Sequence, residues 1–167
     1  KHKVLTYPRT DSRALPEDYI PTVKDTLHSL ETTQYGVFAR QILNSDWVIP
    51  NKRIFNNAKI SDHFAIIPTS LEPKKLNELD TKLYDLVTKR FLAIFYPAAE
   101  FLVTTRITRV EGEPFKTEGR VMVNAGWQTV YGKTLTRDDN IDATVLPAIS
   151  ADKTVNTDDI AVVANQT

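Results

Sequence analysis

Around Pro97 the apolar residues change their spacing, and that switch restricts the chain to few architectures. Over residues 73–95, Leu76, Leu79, Leu83, Leu86, Val87, Phe91 and Ile94 recur every three or four positions, the pattern of one face of an amphipathic helix. Tyr96-Pro97 ends it, because proline has no N–H for the helical ladder. Residues 101–110 then alternate in strand fashion, Glu111-Gly112-Glu113 supplies a turn, and residues 115–123 read as the hairpin partner. The spacing predicts an α+β chain: a mainly helical unit over residues 1–98, then an antiparallel, β-rich unit over residues 99–167.

Within the first unit, residues 3–6 read as a short buried strand leading into Tyr7. Pro16-Glu17-Asp18 marks a helix start, with proline near the first helical position and acids at the positive end of the dipole. Tyr19, Ile20, Val23, Leu27 and Leu30 carry helical spacing to about Glu31, and Pro21 falls in the tolerant first turn. A second helix is expected over residues 35–43, with Val37, Phe38, Ile42 and Leu43 on its core side. Residues 46–70 are irregular, and long connections in compact domains often carry function. Beyond the hairpin, Asn124-Ala125-Gly126 turns the chain again before residues 127–131. Short strands are expected at 145–147 and 160–163, and the polar stretch 134–142 is expected to be weakly ordered.

Charge and composition narrow the function classes. Lys+Arg and Asp+Glu both number 21, a formal balance of zero, whereas a free-standing nucleic-acid binder is usually basic. The absence of cysteine rules out a disulfide framework and thiolate metal sites, and fits a reducing, cytoplasmic setting. His2, His28 and His63 are scattered, and no carboxylates fall at ligand spacing, so no metal site is expected. The five glycines form no phosphate-cradling loop, which excludes a P-loop ATP motor within these residues. No apolar run approaches the length that crosses a bilayer, and no membrane partner is expected.

The densest chemical signal is Val4-Leu5-Thr6-Tyr7-Pro8-Arg9-Thr10-Asp11-Ser12-Arg13. In an extended segment, residues i and i+2 share a face, so Tyr7 and Arg9 address one ligand group together. A phenol beside a permanent planar cation suits nucleophilic attack on a phosphodiester, the cation offsetting phosphate charge. The competing readings are a tyrosine packed in the core and a surface arginine paired with Asp11 or Glu17. Thr10, Asp11 and Ser12 are expected mainly to shape the turn and cap the following helix. A second constellation, Ser61-Asp62-His63-Phe64-Ala65-Ile66-Ile67-Pro68-Thr69, sets a histidine between an acid and an aromatic in the irregular region. Such a histidine can donate to phosphate, although a lone histidine is more often structural. Phe115 and Trp127 present faces on which bases stack, but sheet packing is the expected role.

The tyrosine segment closely resembles the active-site segment of type IA DNA topoisomerases, the topoisomerase III branch in particular. The run from Asp62 to Thr69 is similar to the motif of that branch, with His63 on the histidine used near the cleavage site and Phe64 where relatives carry a second histidine or an acid. Lys82-Leu83-Tyr84-Asp85-Leu86-Val87, Arg90-Phe91-Leu92-Ala93, Phe115-Lys116-Thr117-Glu118-Gly119-Arg120-Val121 and Gly126-Trp127-Gln128-Thr129-Val130-Tyr131 extend the likeness. The resemblance implies a winged-helix-like (CAP-like) tyrosine domain followed by part of a hinged β-rich gate domain. It implies Tyr7 and Arg9 as catalytic residues, with Thr10, Ser12, Arg13, Asp62 and His63 contacting single-stranded DNA. Cleavage through a 5′-phosphotyrosyl bond, strand passage and resealing without ATP would follow. It also implies magnesium held by a Toprim domain with no counterpart in these residues, nucleoid association, and a RecQ-like helicase and single-strand-binding protein as partners. On that reading the chain is an excised piece, inactive alone. The alternative is a non-catalytic, winged-helix module that binds single-stranded nucleic acid.

Overall fold

The computed structural model describes residues 3–133, 146, 149–150 and 153–154. The strands expected at 145–147 and 160–163 and the polar stretch 134–142 lie outside the described residues, Leu146 apart. Helices occupy the first part and one antiparallel hairpin follows, an α+β arrangement.

A short 3-10 turn at Glu17–Tyr19 leads into α1 (Ile20–Leu30), with Pro21 in its first turn as the spacing predicts. Val23, Leu27 and Leu30 are buried. Helix α2 (Gly36–Asn44) packs beside α1 and buries Ala39 and Ile42. Val37, expected on its core side, is exposed, while Phe38 and Leu43 are half-buried against the core. The N-terminal run is not a regular strand. Leu5 makes a single antiparallel bridge to Pro68, and Val4 is buried.

Helix α3 (Glu78–Ala93) starts at Asn77, whose side chain accepts the Asp80 N–H at 2.7 Å, so it begins five residues later than the apolar pattern suggests. Its buried face also differs. Leu79, Leu83 and Leu86 are exposed, Leu79 by 75 %, whereas Tyr84, Thr88, Phe91 and Leu92 are buried. Both sets keep helical spacing, so periodicity alone cannot choose between them. The larger rings decide it: Tyr84 meets Tyr35, Phe91 meets Phe95, and all four join one core cluster.

Strands β1 (Glu100–Val110) and β2 (Glu113–Asn124) pair antiparallel, with an irregularity between Glu100 and Phe101. Glu111 and Gly112 both take positive φ (51° and 86°), the two-residue geometry that matches strand twist. The Arg120 guanidinium lies 3.5 Å above the Phe101 ring. Phe115, expected to pack, is exposed because no second layer covers its face among the described residues. After β2 the chain forms a 3-10 helix at Gly126–Tyr131 instead of another strand, and Val130 is buried in the core beside α3. Gly126 makes this return possible: at φ 50° it lies against the Pro97–Ala98 backbone, where any Cβ would collide. Among the described residues no helix is long and apolar enough to cross a membrane.

Two core tyrosines set an alkaline limit. The Tyr35 hydroxyl donates to Asp85 at 3.0 Å, and burial, with the Asp85 charge behind it, pushes its ionisation up to about 12. Tyr96 donates to Gln41 at 3.0 Å, and burial raises it to about 12 as well. In the unfolded chain both ionise near ~10. Between those values the unfolded state has released protons that the folded state still holds, so stability falls as pH rises. Melting temperature should drop from pH ~10 to ~12, and the Tyr35→Phe/Tyr96→Phe double variant should show a shallower drop. Equal slopes in the two proteins would contradict this.

Candidate functional site

Two chain segments far apart in sequence run side by side and build the site. The Thr6 N–H donates to Ile67 O at 2.9 Å and the Thr69 N–H to Val4 O at 3.0 Å. The Thr6 hydroxyl donates to Ala65 O at 3.2 Å and accepts the Ile67 N–H at 2.9 Å. Farther along, the Thr10 hydroxyl donates to His63 O at 2.8 Å, and the Ala65 N–H donates to Ala14 O at 2.9 Å. These bonds hold the tyrosine segment against the histidine segment from Val4 to Ala14.

Tyr7 and His63 meet at that seam. Their ring centroids are 4.6 Å apart, tilted by 47°, and Tyr7 is 57 % exposed. The tyrosine is therefore not a core aromatic. Tyr7, Arg9, Thr10, Asp11, Asp62 and His63 line one open cleft of about 650 Å³ with Pro8 and Ser61. Tyr7 and Arg9 border the same space, as do Pro8 between them and Thr10 and Asp11 beyond. Among the described residues no carboxylate pairs with Arg9, and Glu17, its expected surface partner, bonds Lys52 at 2.7 Å. That lysine holds the Glu17 carboxyl below its usual range.

The hydroxyls of Thr10 and Ser12 are committed to the protein. Thr10 spends its proton on His63 O and accepts the Ser12 N–H at 3.0 Å. Ser12 donates to Lys59 O at 2.9 Å and accepts the Ala14 N–H at 3.2 Å. They shape the turn, as the sequence suggests. They do not cap the next helix, because Pro16 occupies that cap position with no side-chain bond. Phe64 turns inward, 4.8 Å from Tyr19, and so leaves His63 as the imidazole at the seam.

Ser12 and Arg13 part from the rest. They line a second cavity of about 690 Å³ together with Arg53, Arg90 and Trp127, none of which the sequence singles out for charge recognition. No sequence signal marks Arg53 or Arg90, which look like an ordinary loop cation and a helix-end cation. Among the described residues no group of three or more His, Asp and Glu side chains could hold a metal ion. The described residues do not fit a magnesium site.

A family model described as DNA topoisomerase matches residues 1–167. The chain belongs to the DNA topoisomerase family. It is 40 % identical over 172 residues to DNA topoisomerase 3 of Bacillus subtilis, covering 100 % of this chain and 23 % of that protein. It is 44 % identical over 133 residues to DNA topoisomerase 3 of Bacillus licheniformis, covering 78 % and 18 %. The Bacillus cereus enzyme of the same name is 40 % identical over 144 residues, covering 85 % and 20 %. These relatives place the chain in the type IA, topoisomerase III branch of that family. The chain spans about a quarter of their length or less.

Proposed function

We propose that this segment carries the strand-cleaving tyrosine of a topoisomerase III that acts on single-stranded DNA. The observation that supports it most is the exposed Tyr7 ring against His63 in a cleft that Arg9 also lines, built from segments 56 positions apart. The Tyr7 oxygen attacks a backbone phosphorus; the bond from phosphorus to the 3′ oxygen breaks, and a 5′-phosphotyrosyl ester forms. The phenol proton passes to solvent and the leaving oxygen takes one up, so a free 3′ hydroxyl remains. Attack by that hydroxyl reverses the step. The ester conserves the bond, and resealing needs no nucleotide.

Arg9 holds the phosphate and offsets the charge that grows on its oxygens. His63 donates to the same oxygens, its ring placed by contact with Tyr7 and its backbone by Thr10. Thr10 and Ser12 act as positioning residues, since their protons are already used. Asp62 borders the strand at the cleft rim. Residues 1–98 form the tyrosine unit and 99–167 belong to the gate, whose hinge is a few-residue rearrangement. Magnesium ligands, where the complete enzyme uses that ion, lie outside the described residues.

The test uses the complete enzyme that contains this segment. Mixed with a 3′-labelled single-stranded oligonucleotide and quenched with detergent, it should yield a covalent adduct that maps to the Tyr7 peptide. Arg9→Ala should lower adduct formation about 100-fold or more, the scale for losing one charge-stabilising donor. An adduct mapped to another residue would end the proposal.

A further inference from the structure

The second cavity gathers three guanidinium groups from three separate segments. Arg13 follows the tyrosine turn, Arg53 sits in the loop after α2, and Arg90 lies in the last turn of α3. Each stands beside a buried anchor: Leu15, Phe55 and Phe91. Hydrogen bonds fix the first two relative to each other. The Leu15 N–H donates to Ile54 O at 2.7 Å, and the Asn56 N–H donates to Leu15 O at 2.9 Å. The Asn51 side chain accepts the Arg53 N–H at 2.9 Å and shapes that loop. The backbone at Arg13 and Arg53 is thus fixed by the fold, while the three guanidinium groups stay exposed to a ligand.

Their charge is uncompensated. No carboxylate lines the cavity, and among the described residues none pairs with Arg13, Arg53 or Arg90. The neighbouring Lys52, by contrast, is paired with Glu17. Permanent cations gathered without a counter-charge repel one another, and an anion joining them removes that cost. The Tyr7 cleft differs: it holds one arginine and the carboxylates of Asp11 and Asp62. In a chain of zero formal charge, the charged groups that line this cavity are thus all cations.

The two spaces lie along the same pair of segments. Thr10, Asp11 and His63 line the cleft, while Ser12, Arg13, Ala65 and Ile67 line the cavity. From Tyr7 to Arg13 an extended chain covers at most about 20 Å, a distance that a few nucleotides bridge. The half-exposed Trp127 ring, edge-on to Tyr131 at 5.8 Å, borders the same cavity and offers a stacking face.

We propose that this cavity is a second strand-binding site, in which Arg13, Arg53 and Arg90 take backbone phosphates of single-stranded DNA and Trp127 stacks on a base. Arguing for the strand that Tyr7 cleaves, it rests on the function proposed above. Arginine forks suit phosphate better than lysine ammonium does.

The test is fluorescence anisotropy of labelled oligo(dT) with the full 167-residue chain at 50 and 200 mM salt. The Arg13→Ala/Arg53→Ala/Arg90→Ala variant should bind more than about tenfold more weakly at 50 mM. Each phosphate contact contributes about 0.7 to the salt slope, so the slope should fall by about 2, and the gap between the two proteins should narrow by 200 mM. Trp127→Ala should weaken binding about fivefold or more with the slope kept. If the triple variant does not fold, Arg53→Ala alone, in an exposed loop, should lower the slope by about 0.7. Unchanged affinity and slope in the arginine variants, or no oligo(dT) binding by the unaltered chain, would overturn the second site. Adduct formation at Tyr7 in the complete enzyme reads the cleavage chemistry separately, so weakened binding without any adduct would overturn that reading and leave this one.

Discussion

Replacing Tyr7 with phenylalanine in the complete enzyme is expected to lower covalent adduct formation at least about 1000-fold while single-strand affinity changes less than about twofold. The substitution removes one oxygen and keeps the ring. The ring is what touches His63 at 4.6 Å, and the surrounding backbone is held by bonds that do not involve the hydroxyl. Geometry at the seam should therefore survive, and only the nucleophile is lost. Adduct counted on denaturing gels and affinity from anisotropy separate the two effects. A variant that still forms adduct at the wild-type rate would show that another group attacks. A variant that loses binding as well would show that the hydroxyl, and not Arg9 and its neighbours, carries the strand.

The second large effect is on stability. Phe91→Ala should cost about 3–5 kcal/mol, because the ring is 2 % exposed and packs against Phe95 at 5.4 Å. For a chain of this size that is a fall of roughly 10 °C in melting temperature. Leu83→Ala, one helical face away, should change stability by no more than ~0.5 kcal/mol, since that leucine is 52 % exposed. The pair reads the orientation of α3 directly. Equal losses, or a larger loss at Leu83, would mean that the leucine stripe is the buried face in solution.

That orientation also shows where sequence reasoning stops. Residues 76–95 carry two apolar faces at helical spacing, Leu79-Leu83-Leu86 and Tyr84-Phe91-Phe95, and a period identifies a helix without naming the side that others cover. Aromatic volume and the position of α2 broke the tie. The helix starts later than its apolar pattern for a local reason: Asn77, a strong cap, outranks Pro73 as the point where the backbone can turn. Phe115 was expected to pack because hairpin aromatics usually find a second layer, and the described residues supply none.

What could be read directly was what local geometry dictates. Glu111-Gly112 admits positive φ and closes a hairpin; Pro21 is tolerated only in a first turn; Tyr7 and Arg9, two apart in extended chain, border the same space. These follow from constraints acting over two to four residues and, with the helical and strand periods, suffice for the α+β class; Tyr7 as nucleophile rests on the family resemblance. Tertiary packing alone brought His63 to Tyr7 across 56 positions, sent Arg13 to a different cavity from Arg9, and gathered Arg53 and Arg90 beside it. The physical reason is that such meetings depend on how buried volumes and backbone hydrogen bonds fit together over the whole chain, and no spacing rule extends that far.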